Sequence, residues 1–405
     1  MDTESSLIPN GTVTSPQGFL AGASYAGIKT QGDGTLDLGL LCSEVPCVAA
    51  GVFTTNKVKA APVVLCQQRL AGGTARAIVV NSGCANACTG EQGIADSNTM
   101  AELTARKLGV PSEEILVAST GVIGVPLPME RIRNGIEEIV LSGEGGHQLA
   151  RAIMTTDTLP KEIAVSVRLG EKRVTIGGIA KGVGMIYPDM ATLLCFLTTD
   201  AVLDASLAQA ALRKAVDESF NMIAIDSDTS TNDTVLLLAS GLAGNKLLQA
   251  GSAEAEVFQD ALREVCIYLA KCLARDGEGA TKLIEVRVEG ALTLKEARLA
   301  ARTVASSSLV KAALHGSDPN WGRILAAVGR SGAEIDLPKT DLYLKELCLL
   351  KAGCPVAFEQ AEARERLSNT EVSIRVCLNL GKESATAWGC DLSEEYVTIN
   401  SDYVT

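Results

Sequence analysis

Two kinds of hydrophobic spacing alternate along this chain, and a polypeptide that switches repeatedly between them folds as strands and helices packed in layers. Ile163, Val165, Val167 and Leu169 alternate with Ala164, Ser166 and Arg168; Gly170 breaks the run and Arg173-Val174-Thr175-Ile176 resumes it, which predicts a hairpin. Beyond Asp204, a good N-cap, Ala208, Ala211, Leu212, Ala215, Val216 and Ser219 fall on one helical face. Phe258, Leu262, Val265, Cys266, Leu269, Ala270 and Leu273 form the stripe of a longer helix that starts after Ser252 and ends before Gly277. Residues 283–288 read as a strand, and Thr293 with Glu296 has the spacing of a capping box. The pattern belongs to the α/β or α+β class.

Composition narrows the function. The chain has 405 residues, 47% of them hydrophobic, so it can bury a large core and is long enough for two or three domain-sized units. Its 36 basic and 48 acidic residues give 36 − 48 = −12, which argues against nucleic acid or an anionic membrane as partner. No apolar run approaches the roughly 18 residues of a membrane span. The acidic, polar start Met1-Asp2-Thr3-Glu4 does not read as a signal peptide, so a soluble, cytoplasmic protein is expected. With only two histidines, His147 and His315, a metal site of several imidazoles is excluded, and a Ser-His-Asp triad could use only one of them. The twelve cysteines contain no C-x-x-C pair and read as small buried hydrophobes, although Cys84 and Cys88 could approach each other on a helix. The first dozen residues and the tip from Gly143 to Gly146 are expected to be the mobile parts.

Polar, glycine-rich clusters interrupt the apolar pattern, and chemistry is sought there. Residues 81–87 (Asn-Ser-Gly-Cys-Ala-Asn-Ala) follow the run 77–80, and residues 119–124 (Ser-Thr-Gly-Val-Ile-Gly) follow 115–117. Each reads as a strand delivering a tight loop with free backbone N–H groups, and Thr120-Gly121 could offer a hydroxyl and an amide to an oxyanion; an ordinary turn explains the spacing as well. Thr155-Thr156-Asp157-Thr158 is a third cluster. In a fourth, Lys181 on a Gly-rich turn precedes Ala191-Thr192 and the apolar strand 193–197; it is neither a P-loop nor a full G-x-G-x-x-G. A threonine opening a buried strand is usually a plain strand residue. Cleavage before Thr192 would give it an α-amine able to serve its own hydroxyl as base, with no histidine required. The fifth, Asp226-Ser227-Asp228 after apolar residues, resembles the first motif of aspartyl-phosphate phosphatases, but it lies past mid-chain. Thr231 and Leu237 at loop positions six and twelve exclude a calcium loop of the EF-hand type.

Together these stretches resemble the ornithine acetyltransferase (glutamate N-acetyltransferase) family of arginine biosynthesis. The resemblance runs from Phe53-Thr54-Thr55-Asn56-Lys57 through Ser119-Thr120-Gly121, Lys181-Gly182, Ala191-Thr192, Gly277-Glu278-Gly279 and Asp318-Pro319-Asn320-Trp321 to Asn400-Ser401-Asp402-Tyr403-Val404-Thr405. It implies an α/β fold of the layered α-β-β-α, N-terminal-nucleophile-like type, helices outside two packed sheets. It implies self-cleavage between Ala191 and Thr192 into chains 1–191 and 192–405 that remain interlaced, with two copies of each in a heterotetramer. Thr192 is then the nucleophile that carries acetyl from N-acetylornithine to glutamate, and Thr120 and Gly121 are the oxyanion hole. Thr155, Lys181, Thr192, Glu278, Asn400 and Thr405 are then the substrate contacts. No cofactor or metal is implied, and acetyl-CoA stays open as a second donor. An amidase or aminopeptidase using Thr192 with water is the alternative, and an uncleaved binding protein a more distant one. Because the two amino acids differ in side-chain charge, Lys181 and Glu278 are both expected to face the pocket. Cys84, Met222, Ser227 and Leu193 depart from the residues expected there; at 227 the expected residue is glycine.

Overall fold

The computed structural model describes residues 5–187 and 193–402; Thr192, Ala191 and Thr405, singled out above, lie outside them. The strands in chain order are β1 (Ser6–Leu7), β2 (Phe19–Ser24), β3 (Leu38–Phe53), β4 (Thr74–Cys84), β5 (Ile115–Val122), β6 (Lys161–Leu169), β7 (Lys172–Lys181), β8 (Leu194–Thr199), β9 (Ile223–Ala224) and β10 (Thr234–Ala239). They continue with β11 (Leu283–Ala291), β12 (Asp341–Leu344), β13 (Leu347–Lys351), β14 (Cys354–Pro355), β15 (Glu371–Cys377) and β16 (Glu383–Cys390). The helices are α1 (Ala61–Arg69), α2 (Gly90–Leu108), α3 (Met129–Glu138), α4 (Gly146–Ala152), α5 (Ala205–Asp217), α6 (Ala253–Arg275), α7 (Leu294–Ala305), α8 (Ser308–His315), α9 (Trp321–Gly329), α10 (Gln360–Leu367) and α11 (Glu394–Asp402). Among the described residues the strands form two sheets. One has the order β1-β6-β7-β8-β10-β3-β4-β5, with β2 also on β3; the other runs β14-β13-β12-β15-β11-β16-β9. The molecule is therefore α/β with two sheets. Helix α6 packs on β6 and β7 of the first and on β11 and β16 of the second.

The centre of the first sheet explains its sequence. β8 and β10 pair in parallel, and every residue of both is buried. Cys195, Leu197, Val235 and Leu237 face the core that contains α5 and α6, while Leu194, Phe196, Leu236 and Leu238 face a second core with Val13, Phe19 and Leu149. Strands covered on both faces must be apolar at every position, which is why they read as continuous runs. Strand β8 follows residue 192 and inserts between β7, which precedes it, and β10. Material from both sides of that position thus shares one hydrogen-bonded sheet.

Local expectations hold where local chemistry decides. β6 and β7 form the hairpin, with Leu169 opposite Lys172 around Gly170 at φ +61°. Asp204 caps α5 through Leu207 N–H at 2.8 Å, Ser252 caps α6, and Thr293 with Glu296 closes the capping box of α7. Four readings need correction. Helix α5 ends at Asp217, so Ser219 lies beyond it, where its hydroxyl donates to Ala215 O. Residues 81–84 and 119–122 are strand, paired in parallel as the ends of β4 and β5, because each continues its apolar run into the ladder. Lys181 is the last residue of β7 opposite Leu194, not part of a turn. Cys84 ends a strand and is buried whereas Cys88 is exposed, so no helix brings them together. Gly145 is needed for close packing: a Cβ there would lie 1.7 Å from the Ala21 carbonyl oxygen, beside the bridge of Ala21 to Ser142.

β3 brings remote strands together. Its pairing with β4 shifts register between Cys42 and Cys47. β5 lies five strand steps from β7 in the sheet order, which in a flat sheet is about 24 Å at about 4.8 Å per step. Yet Lys181 Nζ of β7 donates to Thr120 Oγ1 of β5 at 3.2 Å, so the sheet curls until its two flanks meet.

The segment before residue 188 is fixed by Asp226, whose carboxylate accepts the N–H groups of Met185 and Ile186. The carboxylate of the phosphatase-like motif is thus spent on a backbone turn. Ser227, next to it, sits at φ +75°, the left-handed region that costs an L-residue about 1–2 kcal/mol. Ser227→Gly should therefore raise stability to denaturant by about 0.5–1 kcal/mol after glycine's own entropic cost. A loss of stability in urea titrations would show that the serine side chain, not the backbone angle, holds this turn.

Candidate functional site

Thr120, Gly121, Thr155, Lys181, Glu278 and Asn400 line one pocket. They come from the end of β5, the segment after α4, the end of β7, the residues after α6, and α11. No two of these elements are consecutive in the chain, so the pocket exists only in the folded molecule.

Its rigid wall is the pair of strand ends β4 and β5. Gly121 has φ +127°, and a Cβ on it would sit 2.3 Å from the Gly83 carbonyl carbon, so this close backbone approach admits only glycine at 121. Buried amides hold the wall. Asn81 Nδ2 donates to Cys84 O at 2.9 Å, Ser119 Oγ donates to Asn81 Oδ1 at 2.6 Å, and Asn232 Nδ2 donates to both Ala85 O and Ser119 O at 2.6 and 2.8 Å. Cys84, where asparagine is expected, directs its thiol at the Val125 and Pro126 carbonyls at 3.7 and 3.6 Å. That weak donor leaves the wall intact. None of these side chains is among the expected site residues, although Asn81 and Ser119 lie inside the polar clusters at 81–87 and 119–124. For Asn81 and Ser119 the signal is a polar residue that directly continues an apolar run; Asn232 sits in a wholly polar stretch and has none.

Lys181 forms the floor and is 3% exposed. Burial pulls its ammonium below the ordinary lysine range, and the Asp157 carboxylate acts in the opposite direction. Asp157 is itself buried. Burial works to raise its carboxyl, but the Lys181 and Lys161 cations and the Gly182 N–H outweigh that and hold it below the usual range. Its two oxygens accept Gly182 N–H at 2.9 Å and Thr155 N–H at 3.1 Å, which ties the Thr155 segment to the end of β7.

The opposite wall is acidic. Glu278 follows the C-terminus of α6, and its backbone N–H donates to Val183 O at 2.9 Å. Oε1 accepts from Thr156 Oγ1 at 2.8 Å and Oε2 from Asn400 Nδ2 at 2.9 Å. Gly184 runs against this carboxylate so closely that a Cβ would lie 2.5 Å from Oε2. Thr156, in the third polar cluster, and Gly184, just beyond Lys181, are neighbours of this carboxylate to which no motif assigns a role. Lys181 and Glu278 do face the same pocket, as the charge argument requires. Among the described residues, the nearest approach to the expected nucleophile is Leu193, whose N–H donates to Asp233 Oδ1 at 3.2 Å; burial pushes this carboxyl well above the ordinary range.

Chemically, the pocket offers a cation and an anion, bound among the described residues to neutral partners, beside a glycine-walled strand end. It contains neither histidine: His147 pairs with Glu162 and His315 with Asp391. Among the described residues no group of three or more His, Cys, Asp or Glu side chains could hold a metal ion, and no helix is long and apolar enough to cross a membrane.

Comparison with known proteins adds identity to this geometry. The model of the ArgJ family matches residues 20–405. A protein of Symbiobacterium thermophilum named arginine biosynthesis bifunctional protein ArgJ is 57% identical over 397 residues, covering 98% of this chain and 99% of that protein. A protein of the same name from Dehalococcoides mccartyi is 52% identical over 405 residues and 100% of both chains. The crystal structure of the arginine biosynthesis bifunctional protein ArgJ from Bacillus halodurans matches at 45% identity and a TM-score of 0.50, over 51% of this chain and 97% of that one. A match of this length and strength means that the chain belongs to the ArgJ family.

Proposed function

We propose that the protein transfers acetyl from N2-acetyl-L-ornithine to L-glutamate by a ping-pong route, as a glutamate N-acetyltransferase of arginine biosynthesis. Acetyl-CoA serves as a second donor, as befits relatives named bifunctional. The observation that carries this reading is the joint presence of Lys181 and Glu278 in one pocket with the Thr120-Gly121 strand end. The two substrates share an α-carboxylate and an α-nitrogen but end in opposite charges. A pocket holding one cation and one anion, neither in an ion pair among the described residues, suits both. In this reading Thr155 and Asn400 contact substrate, as does Thr405.

The nucleophile is Thr192, freed when the chain cleaves itself between Ala191 and Thr192. Its Oγ attacks the acetyl carbonyl and its proton passes to the new α-amine. The oxyanion is met by the Thr120 hydroxyl and the Gly121 N–H. The carbon–nitrogen bond of the donor then breaks, and ornithine leaves with that proton. The amine of glutamate attacks the acetyl ester, and Thr192 regains its hydroxyl as N-acetylglutamate departs. The pairing of β7 with β8 and of β3 with β10 supports the view that chains 1–191 and 192–405 stay together after the cut. Two copies of each complete a heterotetramer in this proposal. A cytoplasmic site of action accords with twelve unpaired cysteines, of which burial pushes Cys66 and Cys266 to about 12.

The deciding experiment incubates the active protein with donor alone and weighs the fragment that begins at Thr192. One added acetyl is expected, then its transfer to glutamate; release of free acetate instead would identify the amidase. Thr192→Ala should run as one full-length chain on a denaturing gel, and two fragments would refute self-cleavage by Thr192. Glu278→Gln should reduce kcat/KM for acetylornithine about tenfold more than for glutamate, as loss of a charged hydrogen-bond partner predicts. Equal losses would remove Glu278 from the discrimination. Gly184→Ala, which displaces the Glu278 carboxylate, should raise KM for acetylornithine about tenfold with little change in melting temperature. An unchanged KM would show that the carboxylate position is immaterial.

A further inference from the structure

Lys161 is a buried cation that the proposed chemistry does not use. It opens β6, is 3% exposed, and spends its ammonium on three acceptors: Asp157 Oδ1 at 2.8 Å, Asp276 Oδ2 at 2.6 Å and Leu159 O at 3.0 Å. Its two carboxylate partners belong to segments that build the pocket. Asp157 holds the Thr155 and Gly182 amides, and Asp276, two residues before Glu278, also accepts the Thr158 N–H at 3.0 Å. Lys161 and Lys181 bring two positive charges to this interior, and Asp157 and Asp276 two negative ones. The division of partners is uneven. Both carboxylates pair with Lys161, whereas among the described residues Lys181 has no carboxylate within 4.0 Å and donates to the Thr120 hydroxyl.

We infer that Lys161 is a positioning residue for acetyl transfer: by holding Asp157 it keeps that carboxylate from pairing with Lys181, and so leaves the Lys181 ammonium available to the carboxylate of the incoming amino acid. The inference rests on the proposed function and adds a residue to it. A buried carboxylate relieved of its partner turns to the nearest cation, because an unpaired charge in the interior is costly. Without Lys161 that cation is Lys181. A substrate would then have to break a buried ion pair before it could bind. Lys161 also anchors the end of α6 through Asp276, which sets where Glu278 begins.

The test measures KM and kcat for glutamate and for acetylornithine in the parent, in Lys161→Gln, and in the double variant Lys161→Gln with Asp157→Asn. In the parent, transfer of acetyl is expected; its absence would refute the proposed function, and this inference with it. In Lys161→Gln, KM for both amino acids should rise about tenfold or more, with a smaller change in kcat. The double variant removes the carboxylate that would capture Lys181, so its KM should fall back toward the parent value. A purely structural lysine predicts the reverse, since a second lesion in one buried network adds damage. With an active parent, a double variant no better than the single one overturns the inference. Lys161→Arg guards against simple misfolding. Its guanidinium keeps Asp157 engaged, so KM should stay within about threefold of the parent even if the melting temperature drops. A tenfold rise in that folded variant also overturns the inference.

Discussion

The pocket depends on one buried ammonium standing where two distant strands meet. Lys181 ends β7, Thr120 lies near the end of β5, and 3.2 Å separates Nζ from Oγ1 although four strands of the order β7-β8-β10-β3-β4-β5 give or continue the path between them. Only a curled sheet allows that contact. The buried amides of Asn81 and Asn232 hold the rim at this meeting point. Desolvating the ammonium is unfavourable, and the Asp157 carboxylate nearby offsets part of that cost without claiming the charge.

Incomplete pairing is the second theme. Glu278 is bound by a hydroxyl and an amide, Lys181 by a hydroxyl. Neutral partners stabilise a charge less than an opposite charge does and are exchanged more easily for substrate. A few side chains away, Lys161, Asp157 and Asp276 are fully engaged with one another. The interior thus separates ion pairs that hold the scaffold from charges left open to the pocket. Glycine takes part on both walls: Gly121 lets two strand backbones meet, and Gly184 leaves room for the Glu278 carboxylate.

Legibility from sequence follows the range of the forces involved. The β6–β7 hairpin, the Asp204 and Ser252 caps and the Thr293–Glu296 capping box all arise from residues within a few positions of one another, and each was readable. The clusters at 81–87 and 119–124 stand out by composition and look like loops, since nothing local reveals that the ladder of β4 and β5 continues into them as far as Cys84 and Val122. Asp226 drew attention as a phosphatase-like acid, whereas its carboxylate serves the amides of Met185 and Ile186, forty or more residues earlier in the chain.

By itself the sequence determined the class of fold, the apolar strand that becomes β8, the starts of helices α5, α6 and α7, and which polar clusters stand out, because periodicity and capping are short-range properties. Its motifs also determined the family. Only the tertiary structure decided that Lys181 and Glu278 share a pocket, that Asn232 and Asn81 brace its wall, and that Lys161 rather than Lys181 takes the carboxylate of Asp157. Those outcomes hang on which side chains meet across the curl of one sheet, and no local spacing along the chain encodes that distance.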